Sequence, residues 1–290
     1  MLQAAMLKRI YIEISNICNV QCSFCPVVER DKQILNPSNF EKILIQAKPI
    51  AQEVCLHLMG EPLAHPNFEE VLKICEKYQV PIQLTTNGLL IEKKKELILS
   101  SGCVRQINFS LQSFKDNFPH KKLETYLEPI ITFSHEAHIK RPEMYINYRL
   151  WNMGVESNEN EEIFDYLDNA FEVKINRKVQ VENIKSKRIW NKVYLHFDSR
   201  FEWPTLDREV ISHQGRCHAL TSHIGIHADG TVVPCCLDKE AIINLGNCLE
   251  TPLSAILESE RASRMRIGFS NGKLIEELCT KCQYVTRFFA

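Results

Sequence analysis

Two hydrophobic periods take turns along the first two thirds of this chain. Ile10, Ile12 and Ile14 alternate with polar residues and predict a strand. The apolar run 53–59 and the stretches 81–86, 106–111 and 145–150 read as further strands, and 192–197 as a sixth. Between them, residues 37–48, 66–77, 91–100 and 121–140 follow the helical period. Repeated βα order implies an α/β fold whose parallel strands, joined by right-handed crossovers, lie open or wind into a barrel. Ligands then sit at the carboxyl ends of the strands.

From about residue 210 the alternation stops. Ile224 to Ala228, the Asp229-Gly230 turn and Thr231 to Cys235 read as a β-hairpin, Thr251-Pro252 opens a helical stretch, and Cys279 and Cys282 close the chain. Two units are expected, a core over 1–209 with a variable, substrate-facing segment at 152–204, and a small α+β extension over 210–290.

The 290 residues are 44% hydrophobic and 24% charged, which excludes collagen-like, disordered and coiled-coil classes. With 35 basic against 36 acidic residues the net charge is -1, so nothing draws the whole chain to nucleic acid or anionic lipid. No signal-peptide pattern and no run of ~18 apolar residues occurs, and a cytoplasmic protein with no membrane partner is expected. In that compartment twelve cysteines point to metal or redox chemistry rather than disulfides.

Cys18, Cys22 and Cys25 lie on one tight loop behind the first strand. Three thiolates there can hold three corners of an iron-sulfur cubane and leave one iron open. Zinc is the alternative, with a fourth ligand from elsewhere in the fold. Cys55 and Cys75 read as small buried hydrophobes. The CxxxCxxC spacing, with Phe24 before the last cysteine, resembles the signature of radical S-adenosylmethionine (SAM) enzymes. The resemblance implies a partial (β/α)6 TIM-like barrel, a [4Fe-4S] cluster on Cys18, Cys22 and Cys25, and S-adenosylmethionine as cofactor.

Further elements fit at successive strand ends. Met59-Gly60-Glu61-Pro62 is similar to the family's Gly-Gly-Glu element, with Met in place of the first glycine. There Gly60 would let backbone approach the ligand and Glu61 would accept from its amino group. Thr85 and Asn87 resemble the family's polar segment near ribose and carboxylate, Ser110 is another polar tip, and Arg149 could pair with the methionyl carboxylate.

Cys217, Cys235, Cys279 and Cys282 can surround one cluster or one zinc. Their order with the hairpin, Leu245-Gly246-Asn247 and the helix resembles the twitch extension, the short form of the SPASM domain, and implies one auxiliary [4Fe-4S] cluster. Cys235 is preferred to Cys236 because it follows Pro234, and Cys248 is taken as structural.

Four thiolates leave no open iron, so such a cluster carries electrons. The expected reaction is therefore dehydrogenase-type, on a small polar or carbohydrate substrate, with a flavodoxin- or ferredoxin-type electron donor. Radical modification of a peptide, protein or tRNA is the alternative, and a metal-thiolate scaffold or electron carrier the non-enzymatic one. In the variable segment, Asp198 as base and Arg200 as oxyanion partner could serve alcohol oxidation, or the two could form a structural ion pair. Lys174, Arg177, Lys178, Lys185, Lys187, Arg188 and Lys192, with only Glu172 and Glu182 as acids, form either a site for an acidic or phosphorylated substrate, RNA included, or a solvated face.

Overall fold

The structure, a computed structural model, describes residues 6–153, 159–178, 181 and 185–288. The core runs β1 (Arg9–Ile12), α1 (Pro37–Ala47), β2 (Val54–Cys55), α2 (Phe68–Lys77), β3 (Ile82–Thr86), α3 (Ile91–Ser100), β4 (Val104–Ser110), α4 (Ser113–Asn117), α5 (Glu124–Lys140) and β5 (Tyr145–Met153). Then come α6 (Glu159–Phe171), β6 (Ser186–Trp190) and β7 (Val193–Ser199). The extension adds β8 (His223–Ile226), β9 (Thr231–Val233), β10 (Gly246–Asn247), α7 (Leu253–Leu257), α8 (Glu260–Ser270) and α9 (Glu277–Thr280).

All strands join one 10-stranded sheet in the order β10-β9-β8-β1-β2-β3-β4-β5-β7-β6. The strands from β1 to β5 and β7 are parallel neighbours, as their alternation with helices requires. The expected run 53–59 keeps sheet pairing only at Val54–Cys55, because the chain then bends toward the cysteine loop. Two findings depart from the sequence reading. The hairpin does not stand apart: β8 pairs parallel to β1, so the extension prolongs the barrel wall. And β6, inside the basic segment, pairs antiparallel to β7 across a turn where Asn191 takes φ +37°.

That pairing places part of the basic segment. Lys187 and Arg188 lie on an edge strand, where charge opposes further strand addition. Arg177 pairs with Glu161, Asp165 and Asp168 of α6, an element the periodicity did not predict. Glu182 lies outside the described residues.

The strand periodicity divides two environments. Ile82, Leu84, Ile107, Phe109, Ile146 and Tyr148 are buried on the helix side, where Phe109 meets Phe133 of α5 edge-on at 5.8 Å. Burying each such side chain contributes about 1.5–3 kcal/mol. The alternate positions line a polar interior. Asn108 donates to the Leu84 carbonyl (2.9 Å) and to Thr85 Oγ1 (3.2 Å), and accepts from Gln106 (2.9 Å) and Asn147 (2.8 Å). Such a network keeps buried amides satisfied while leaving the lumen chemically usable. Among the described residues no helix is long and apolar enough to cross a membrane.

Candidate active site

A cavity of about 530 Å³ opens at the carboxyl ends of the parallel strands, within the range of cofactor sites. Cys18, Cys22, Phe24, Cys25, Gly60, Glu61, Thr85, Asn87, Ser110, Arg149 and Arg200 all line it, so the fold gathers residues up to 182 positions apart (200 − 18).

The cysteine loop has almost no regular structure and is held by others. Asn16 clamps its base, donating to the Asp31 carbonyl and accepting from Gln33 N, both at 2.8 Å. The tip is stapled by α4. Asp116 accepts from Ser23 N (2.5 Å) and Ser23 Oγ (2.6 Å), while Asn117 accepts from Gln21 N (3.0 Å) and donates to Cys22 Sγ (3.1 Å). Sequence reasoning missed these two residues. Five residues are too few for a helical period to show, and the polar tip after β4 was the one available signal.

Gly60 has φ +74°, and a Cβ there would meet the Ser15 carbonyl oxygen at 2.3 Å and that of Ile17 at 2.9 Å. The glycine thus admits the cysteine loop's own backbone, and Glu61 N bonds the Ile17 carbonyl at 3.0 Å. Gly60 also lines the cavity, where ligand approach was expected of it. Glu61 is likewise engaged before any ligand arrives: it accepts from Leu63 N (3.0 Å), Thr86 Oγ1 (2.8 Å) and Asn87 N (2.8 Å). Burial still pushes its carboxyl up to about 7. Asn87 turns its amide to Asn19 Oδ1 (2.7 Å) and toward Cys18 Sγ (3.9 Å), bracing the loop.

Other polar groups on the cavity wall lack partners. The Arg149 side chain makes no hydrogen bond or ion pair among the described residues; its guanidinium carbon lies 4.7 Å from the Trp151 ring centre, and burial lowers its pKa. His57 Nδ1 and Gln112 Oε1 are buried and unpartnered among those residues. Burial, with Arg149 and Arg9 nearby, pushes His57 down to about 3, so it is neutral.

Burial is also the main influence on the three thiols, raising Cys18, taking Cys22 to about 11 and Cys25 to about 12. Metal loading must then release their protons. Among the described residues no three are close enough to share one metal ion, whereas a cubane gives each thiolate its own iron and tolerates the wider spacing. The residues fit the group: three loop thiols for a cluster, and beside them an unpaired cation and orphan acceptors suited to a zwitterionic amino-acid ligand.

In the extension, Cys235, Cys279 and Cys282 each have Cys217 among their electrostatic neighbours, and burial raises all four thiols. Cys236 also has Cys217 as a neighbour, but it lines the cavity and bonds Tyr11, and Cys235 is the one of the two with Cys279 among its neighbours. Cys248 donates to the Gly230 carbonyl (3.2 Å). The two cysteine sets are tied by Arg30, whose guanidinium bonds buried Glu13 (3.0 and 3.1 Å) and the Lys239 carbonyl (2.6 Å). Glu240 accepts from Glu29 N (2.9 Å) and Arg30 N (3.1 Å).

Asp198 and Arg200 separate. Asp198 is not on the cavity wall; its carboxylate bonds Arg287 (2.7 Å) and Lys185 (3.5 Å). Two positions apart on one strand they would share a face, but β7 ends at Ser199, so Arg200 is free of the strand's alternation. Arg200 stays in the cavity, 5.8 Å from the Phe24 ring centre. The expected base is therefore an ion-pair partner in the fold.

The Radical SAM superfamily model matches residues 12–176, and that of an iron-sulfur cluster-binding domain, SPASM, matches 217–283. A GTP 3',8-cyclase of Aquifex aeolicus is 29% identical over 116 residues, 37% of this chain and 36% of that protein. A tungsten-containing aldehyde ferredoxin oxidoreductase cofactor-modifying protein of Pyrococcus furiosus is 30% identical over 97 residues, 31% of this chain and 27% of its own. The matched stretches thus span about a third of these relatives. BtrN in complex with AdoMet and 2-DOIA superposes with TM-score 0.61 at 15% identity, covering 97% of this chain and 94% of that one. Streptococcus suis SuiB bound to precursor peptide SuiA gives 0.64 at 16%, covering 96% and 71%.

Proposed function

The chain belongs to the radical SAM superfamily, and from that membership we propose that it oxidises a hydroxyl-bearing carbon of a small polar or carbohydrate substrate by two electrons. When bound, S-adenosylmethionine and the [4Fe-4S] cluster on Cys18, Cys22 and Cys25 supply a 5′-deoxyadenosyl radical that removes hydrogen, and an auxiliary [4Fe-4S] cluster on Cys217, Cys235, Cys279 and Cys282 supplies an electron acceptor.

The remaining work belongs to the chain's own side chains. Arg149 takes the methionyl carboxylate as the counter-ion it lacks. Glu61, braced by three donors, receives the amino group on its remaining acceptor sites. Thr85 and Ser110 line the wall beside them, and Phe24 helps exclude water. The hydroxyl proton leaves to solvent at the open mouth of the cavity, and Arg200, free of Asp198, stabilises the negative charge developing on the substrate oxygen.

The observation that carries the redox half is the Cys235-Cys236 turn. Cys236 forms part of the cavity wall and Cys235 beside it has Cys217 and Cys279 as neighbours, which supports an acceptor site next to the place where substrate would react.

The test begins with iron on anaerobically reconstituted protein: about eight atoms per chain in the parent and about four in a Cys18/Cys22/Cys25→Ala variant, for two cubanes. Aminocyclitols, sugars and hydroxyl-bearing peptides with deuterium at the carbinol carbon are then supplied with a reduced flavodoxin as donor. Deuterium entering 5′-deoxyadenosine from an aminocyclitol or sugar, with product lost in Cys279→Ala/Cys282→Ala while S-adenosylmethionine cleavage continues, supports the reading. Deuterium arriving only from peptide would sink it.

A further inference from the structure

A second cavity, of about 420 Å³, lies in the C-terminal extension, and its wall includes Arg216, Cys217, His218, Arg266, Phe269 and Arg287. No carboxylate lines it. Arg216 is exposed and unpaired among the described residues, and Arg266 donates only to the Leu257 carbonyl (2.7 Å) and Ser263 Oγ (3.1 Å). Arg264, on the same helix α8, is exposed without an ion pair among the described residues, and Ile267 beside Arg266 is 60% exposed. In a chain of net charge -1 this is a local concentration of positive charge around an apolar spot. Half-buried Cys217, the electrostatic neighbour common to Cys235, Cys279 and Cys282, is set in its floor.

We propose that this surface docks an acidic one-electron carrier protein of the flavodoxin or ferredoxin class and brings its redox centre against Cys217. The proposal rests on the reading of Cys217 as an auxiliary-cluster ligand. Complementary charge raises the rate of encounter and fixes orientation, and transient redox interfaces are small, so an exposed isoleucine within a rim of arginines matches such a partner. The observations favour a protein over a free phosphate. Arg216 and Arg264 face solvent, Arg287 is already bonded to Asp198, and no buried donor in this cavity lacks a partner. Each productive encounter moves one electron: the oxidised carrier gains one as the enzyme loses one.

The experiment uses the full-length reconstituted protein and reads binding, so it is independent of whether any substrate is oxidised. Oxidised flavodoxin and a [2Fe-2S] ferredoxin are titrated separately by calorimetry at low and high salt. Arg216→Glu/Arg264→Glu, which breaks no hydrogen bond seen in the structure, should weaken binding roughly tenfold and flatten its salt dependence. Arg266→Glu should act in the same direction. Lys42→Glu/Lys93→Glu, at exposed sites on α1 and α3, should leave it unchanged. Iron content and circular dichroism report that each variant is folded and loaded. Equal affinity in parent and Arg216→Glu/Arg264→Glu, or no binding of either carrier to the parent, overturns the proposal. So does inorganic phosphate binding that depends on Arg216 while neither carrier competes with it.

Discussion

Replacing Arg149 by Met separates what the cavity does for the ligand from what it costs the fold. Arg149 is half-buried, and its guanidinium, with no carboxylate beside it, is held only against the Trp151 ring at 4.7 Å. A cation–π contact contributes about 0.5–2 kcal/mol, while an unpaired charge held out of water carries a desolvation penalty that an apolar group of similar volume does not. The cofactor-free variant is therefore expected to melt no lower than the parent. A charge-assisted hydrogen bond to a ligand carboxylate contributes about 1.5–3 kcal/mol, so S-adenosylmethionine binding should weaken roughly 10- to 150-fold. Anaerobic equilibrium dialysis on protein with matched iron content measures the second quantity, and thermal unfolding of the cofactor-free protein the first. Parent-like affinity in Arg149→Met would refute the assignment, because no other unpaired cation of comparable burial lines the cavity among the described residues.

The other expectations follow from contacts already given. Gly60→Ala forces a methyl against the Ser15 and Ile17 carbonyls at positive φ, so a loss of about 2–5 kcal/mol and poorer iron loading are expected, checked by denaturation and iron assay. Because Glu61 is raised to about 7, it is mostly neutral at pH 6 and ionised at pH 8. S-adenosylmethionine affinity should therefore rise across that interval in the parent and stay flat in Glu61→Gln. The same shift means the folded state holds a proton that the unfolded carboxyl, near 4.5, has released. Stability should fall as pH climbs from about 4.5 to 7, and Glu61→Gln should remove that slope. Asp198→Asn breaks the pair with Arg287 and is expected to cost between the ~1 kcal/mol of an exposed pair and the ~3 kcal/mol of a buried one, measured by chemical denaturation. Turnover abolished at unchanged stability would restore Asp198 as a base.

Local information in the sequence was enough for a good deal of this protein. Alternation of Ile10, Ile12 and Ile14, and the helical period at 91–100, depend only on which face of an element meets the core, so each is legible within a window of ten residues or so. The spacing of Cys18, Cys22 and Cys25 is equally local, because three ligands on one tight loop need no knowledge of the rest. Tertiary structure alone decided what those residues meet. That Gly60 yields to the Ser15 carbonyl, that Asp116 holds Ser23, that Asp198 pairs with Arg287 and that Cys236 bonds Tyr11 are contacts across 45 to 225 positions. No periodicity encodes such a pairing. It is set by where the parallel sheet brings the strand ends, and by β8 joining β1 so that the extension closes on the cysteine loop.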